Sequence, residues 1–98
     1  AEAIISPEAL QDMDDIRSYI ALDNPEAAER VIRAFETSAA LLVTQPDLGS
    51  ASPVCAGCDF VWSRISQHLM FYREYEGRVE VVRVLHSARD VQTIFKQA

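Results

Sequence analysis

The sequence predicts an α+β domain of order β-α-α-β-β-β(-α), a helical hairpin packed on one face of a small antiparallel sheet. Three observations carry that expectation. Apolar residues recur every three or four positions through residues 8–44, as an amphipathic helix requires. Residues 59–86 instead hold three β-prone runs, DFVWSRI, HLMFYREY and VEVVRVLH, the last two joined by a tight Glu76-Gly77 turn. Between the two blocks, QPDLGSASPVCAG is punctuated by Pro and Gly and reads as a loop.

Each element has its own local reason. AIIS, Ala3 to Ser6, is a short β-type run. Ser6 then caps a helix, Pro7 fits its first position and Glu8 complements its dipole. Leu10, Met13, Ile16 and Ile20 form the apolar stripe, with Asp12, Asp14 and Asp15 expected outward or on the flank. At DNPE that helix stops; Asn24 caps the next one and Pro25 starts it. Its buried stripe is Ala28, Val31, Ile32, Phe35, Ala39 and Leu42, and it ends before Pro46. A last helical segment, Ala88 to Phe95, places Val91, Ile94 and Phe95 on one side.

Ninety-eight residues make one domain, 1–98, and 49% apolar with 24% charged residues is ordinary for a globular chain. No apolar run approaches the roughly 20 residues that span a bilayer, and no basic-then-apolar leader is visible. A cytoplasmic, membrane-free protein is therefore expected. The net charge of −6 argues against a chain that binds nucleic acid by itself, because such domains neutralise phosphates with many bases. The charge is unevenly spread. Residues 1–50 hold ten carboxylates against Arg17, Arg30 and Arg33, whereas residues 51–98 hold five against six bases.

A two-residue turn at Glu76-Gly77 fixes the expected pairing as Arg73/Glu80, Tyr72/Val81, Phe71/Val82, Met70/Arg83, Leu69/Val84 and His68/Leu85. Alternation then divides the hairpin into two faces. Leu69, Phe71, Val82 and Val84 share one with the Arg73–Glu80 pair, and this purely aliphatic and aromatic set is assigned to the helices. His68, Met70, Tyr72, Val81, Arg83 and Leu85 form the other, expected as an open recognition surface with Arg83 projecting from it.

Five stretches bear a resemblance: SPEALQDMDDIRSYI, DNPEAAERVI, QPDLG, HLMFYRE and VEVVRVLHSARD, in that order along most of the chain. Together they resemble the RelE/ParE toxin superfamily, and within it the ParE-like toxins of type II toxin–antitoxin systems. The most specific part is FYR, a turn, then RVLHxxRD. The resemblance implies the same helical hairpin on a sheet, no cofactor, and a non-catalytic inhibitor of DNA gyrase. It further implies neutralisation by a cognate ParD-like antitoxin and assembly into a toxin–antitoxin hetero-oligomer. The residues expected to meet antitoxin or target are Arg64, His68, Met70, Tyr72, Val81, Arg83 and Leu85. Relatives usually run Gly-Leu-Arg before the second sheet strand. Here Ala56-Gly57-Cys58-Asp59 has neither Leu nor that Arg, and Arg64 is the stand-in.

Two other functions fit the same resemblance. A RelE-type ribosome-dependent mRNA endoribonuclease would need a base, an acid and a cation around the scissile phosphate, which His68, Tyr72 and Arg83 could supply. An inactive homologue would keep antitoxin binding alone. Cys55 and Cys58 form one CxxC, half of a structural zinc set, so they are read as incidental loop thiols and no metal is expected. Arg89-Asp90 is read as a local ion pair or cap after the last strand.

Overall fold

The computed structural model describes residues 3–51, 59–65 and 67–86, without the side chains of residues 63 and 64. Strand β1 (Ala3–Ile5) leads into helices α1 (Pro7–Ala21) and α2 (Pro25–Thr44). A 3-10 turn at Pro46–Leu48 then precedes β2 (Ser50–Ala51), β3 (Phe60–Ile65), β4 (His68–Tyr75) and β5 (Arg78–His86). Both expected caps form. The Ser6 hydroxyl accepts from the Ala9 N–H at 3.0 Å, and the Asn24 side chain accepts from the Ala27 N–H at 3.1 Å. Such a cap contributes about 1 kcal/mol. The terminal helical segment, both cysteines and the Arg89-Asp90 pair lie outside the described residues.

The five strands form one sheet in the order β1-β5-β4-β3-β2, with the helical hairpin against it. The expected architecture is present, with two differences: Ser50 and Ala51, inside the segment read as a loop, pair with Val61 and Phe60 as an edge strand, and the sheet is not purely antiparallel. β1 runs parallel to β5, pairing Ala3 to Ile5 with Val79 to Val81, so the sheet is mixed. Side-chain burial explains its place. Ala3 and Ile5 pack into the core under the helices, while Ile4 on the other face is exposed. Bridging from β1 through a helical hairpin lets the chain return to the sheet without a tight turn, as a parallel pair requires.

The turn at the hairpin tip is the predicted two-residue loop, with Tyr75 opposite Arg78. Glu76 and Gly77 both have positive φ, +50° and +73°, the left-handed pair that matches the twist of adjoining strands. From the tip inward the pairing is as expected through Glu74/Val79, Arg73/Glu80 and Tyr72/Val81. There it breaks. Val82 is an extra residue, a β-bulge, and beyond it Phe71 faces Arg83, Met70 faces Val84, Leu69 faces Leu85 and His68 faces His86.

The assignment of faces is therefore corrected. Met70, Tyr72, Val79, Val81 and Val84 are the residues of the β4–β5 hairpin that pack under the helices, against Ala9, Ile16, Phe35, Ala39 and Leu42. Phe71, Leu69 and Val82 lie on the opposite face with Val61 and Leu85. The physical reason is the Arg73–Glu80 pair. Its charges share a face with Phe71, and a face that must be sealed by two helices excludes a hydrated ion pair. The bulge keeps Val81 and Val84, three residues apart, on the same buried side. Burying such side chains stabilises the fold by about 1.5–3 kcal/mol each.

Candidate functional site at the open end of the hairpin

Beyond the bulge, β5 outruns its short neighbour β1, and side chains from the start of α1 take over the exposed edge. The Ser6 N–H donates to the Val81 carbonyl at 3.0 Å, and the Ser6 hydroxyl donates to the Val82 carbonyl at 2.7 Å. Further along, the Val84 N–H donates to Asp12 Oδ2 at 3.0 Å. A sheet edge left bare is a template for unwanted pairing, and here helix side chains close it.

Asp12 also grips Arg83. Nε of Arg83 donates to Oδ2 at 2.7 Å and Nη2 to Oδ1 at 3.1 Å, a two-point fork between residues 71 positions apart. Charge-assisted and bidentate, this geometry is stronger and more directional than a single surface contact. The carboxylate is mostly buried, at 14% exposed, whereas the arginine side chain keeps 37% of its surface open. The expectation of a guanidinium projecting from an open sheet face is corrected: Arg83 is bound to α1. The acid responsible is Asp12, one of the three carboxylates expected outward or on the flank of the α1 stripe.

One and two helical turns past Asp12, Ile16 and Ile20 become walls of a groove. With Tyr19, Val31, Gln67, His68 and His86 they enclose about 530 Å³ between α1, α2 and the end of β4–β5. The two imidazoles meet edge to face at 5.6 Å, His68 also meets Phe35 edge to face at 5.5 Å, and His86 Nε2 lies 3.2 Å from Gln67 Oε1. At the same end of α1, Tyr19 is 63% and Leu22 83% exposed, so large apolar surface faces water there.

The predicted site residues scatter across this frame. His68 is buried but reaches the groove, whereas Met70, Tyr72 and Val81 are fully buried beneath the helices and Leu85 is buried on the reverse face. None of these last four lies on an open recognition surface. The Arg64 side chain lies outside the described residues. The Tyr72 hydroxyl serves the loop after α2. It donates to the Pro46 carbonyl at 2.6 Å and accepts from the Gly49 N–H at 2.9 Å, while its ring stacks on Phe60. A Cβ on residue 49 would collide with that hydroxyl, so QPDLG needs its glycine for close approach. Burial first, and then the charges of Asp47 and Glu74, hold the Tyr72 pKa above its ordinary value, against the lowering effect of the Gly49 bond. His68 and Tyr72 are also four residues apart along β4, about 13 Å at strand rise. The base, acid and cation of the endoribonuclease reading are thus not gathered around one point.

Comparison with known proteins now decides the family. The model described as "ParE toxin of type II toxin-antitoxin system, parDE" matches residues 3–91. The chain belongs to that family. Toxin RelE2 of Caulobacter vibrioides is 29% identical over 89 residues, spanning 91% of this chain and 98% of that protein. A chain of the chromosomal ParDE TA system from P. aeruginosa aligns at a TM-score of 0.71 and 18% identity, covering 87% of this chain and 94% of that one, a likeness of fold. As a RelE/ParE-superfamily toxin of a type II system, this ParE-family chain has a cognate antitoxin for a partner. Among the described residues no helix is long and apolar enough to cross a membrane.

Sequence reasoning missed Asp12, Ile16, Tyr19, Ile20 and Val31 as site residues. A signal existed: Asp12, Ile16 and Ile20 are spaced by four, which stacks them on one stripe of α1. Val82 carried no comparable mark, since nothing in VEVVRVLH distinguishes a bulged valine from its neighbours.

Proposed function

We propose that this ParE-family toxin inhibits DNA gyrase by binding it, and that its antitoxin neutralises it by laying an amphipathic segment into the groove between α1, α2 and the open end of β4–β5. One observation carries the docking half: Ile16, Ile20 and Val31 give the groove apolar walls, and Tyr19, which also lines it, is exposed. That is the shape and chemistry into which an apolar helix face fits. The helical half that frames it is rich in carboxylates, which favours a segment with basic residues flanking its apolar anchors.

The non-catalytic half is supported by chemistry. Tyr72 is committed to the Pro46–Gly49 loop and Arg83 to Asp12, and a chain of net charge −6 is poorly suited to sit among ribosomal phosphates. The test is a supercoiling reaction with purified gyrase, ATP and relaxed plasmid. Added toxin is expected to suppress supercoiling and accumulate cleaved DNA, and equimolar antitoxin to restore the reaction. Unimpaired supercoiling, together with new cuts in translated mRNA by primer extension, would replace this reading with the endoribonuclease. Harmlessness in both assays with antitoxin binding intact would leave an inactive homologue.

A further inference from the structure

The sheet has two apolar faces, and α1 and α2 cover one of them. On the other, Phe71 is 2% and Leu85 3% exposed, in a cluster with Val61, Leu69 and Val82. A side chain on a single sheet layer keeps much of its surface in water unless a second layer lies over it. Among the described residues no element supplies that layer. The burial is also confined to one end. Towards the hairpin tip the same face carries Ile4 at 41% and Tyr75 at 56% exposed.

Leu85 is next to last in β5, so the chain leaves the sheet beside the covered patch. The residues after His86 read SARDVQTIFKQA. Ser87 and Asp90 have the spacing of a helix cap, and Val91, Ile94 and Phe95 fall on one helical stripe. We infer that residues 88–95 fold back as an amphipathic helix over this face, laying Val91, Ile94 and Phe95 on Leu85 and Phe71. Reach supports the pairing. As a helix, residues 88–95 span about 12 Å, enough to pass from His86 over Leu85 to the level of Phe71. Arg78, at the tip end of β5, is about 26 Å from His86 at strand rise, beyond that reach. The internal segment 52–58 is a poorer cover. It leaves and rejoins the sheet on the β2–β3 side, two strands across from Leu85, and Val54 is its only large aliphatic side chain. The chain thereby closes its second apolar face with its own residues, on the side of the sheet opposite the groove, and removes a surface for self-association.

The experiment is a methyl-resolved NOESY spectrum of the full labelled chain, without antitoxin. Contacts from the Ile94 methyls to the Leu85 methyls and the Phe71 ring are expected, unchanged on about tenfold dilution. Ile94→Asp should abolish them, shift the Leu69, Leu85 and Val61 methyls while leaving Met70 and Val84 in place, and lower Tm by about 4–8 °C. Thr93→Asp, on the opposite side of the same helix, should do none of this. The wild-type contacts decide the matter even if Ile94→Asp does not fold.

Contacts from Val54 to Leu85 in their place would assign the cover to segment 52–58. Contacts found only between differently labelled chains would assign it to a second copy. Either result overturns the inference. So does a spectrum in which Ile94 touches neither residue, or a folded Ile94→Asp chain whose Leu85 methyls have not moved.

Discussion

The two ends of the β4–β5 hairpin are built on different principles. At the tip, pairing is regular, the turn has the conformation its twist demands, and charges stay on the surface: Arg73 meets Glu80 at 2.6 Å and lies over the Tyr75 ring. At the open end the ladder slips by one residue at Val82, and a helix carboxylate substitutes for a neighbouring strand. Histidines there face each other beside a groove. The tip is what local rules produce alone. The open end is where those rules are broken, and it carries the features that suit recognition, as bulges often do.

The comparison can be broken hardest at its hinge. Met70, fully buried opposite Val84, should lose about 2–5 kcal/mol of unfolding free energy as Met70→Ala, measured by urea denaturation. A residue on an open face would change by less than about 0.5 kcal/mol. Tyr72→Phe should lose about 1–3 kcal/mol, because the Gly49 N–H and Pro46 carbonyl are left without their phenol.

The same tyrosine sets a pH test. Its pKa is raised on folding, so its contribution is fully present below the ordinary phenol value near 10 and declines as pH climbs toward the folded value. Wild type should therefore lose stability more steeply than Tyr72→Phe above about pH 10. Parallel curves would mean the phenol is not buried.

Arg83→Met should cost about 1–3 kcal/mol of stability, since it removes two charged hydrogen bonds and leaves a mostly buried carboxylate. Arg73→Met at the tip, which breaks a more exposed pair, should cost about 1 kcal/mol or less. Equal costs would erase the distinction between the two ends. The smallest effect is a gain. Glu76 sits at φ +50°, a conformation that non-glycine residues adopt with strain, and Asn-Gly is the preferred pair for this turn. Glu76→Asn should add about 0.5–1 kcal/mol without altering antitoxin affinity.

Much of the frame was legible because local chemistry determined it. Ser6-Pro7 and Asn24-Pro25 mark helix starts through cap bonds that form as the sequence requires, and Glu76-Gly77 fixes the turn and the first four strand pairs. The parallel place of β1 was not legible, since three residues carry no signal for which edge they join. The error of faces had two sources. Uniform alternation cannot register an inserted valine, and an aliphatic set was preferred over one holding a tyrosine and a methionine. The Arg73–Glu80 pair already argued the other way, because two helices seal the face opposite it. Of the expected recognition residues, His68 reaches the groove, and Arg83 is held by Asp12, an acid that sequence spacing had placed outward or on the flank.

The central claim is that partner recognition belongs to the open end and not to the tip. Amide and methyl NMR spectra of the labelled chain, recorded as unlabelled antitoxin is added, test it most directly. The account predicts that the largest shifts fall on Ile16, Tyr19, Ile20, Val31 and His86, with Glu74 to Arg78 nearly unmoved. Shifts centred on the tip, or confined to the reverse face at Val61 and Leu69, would contradict it.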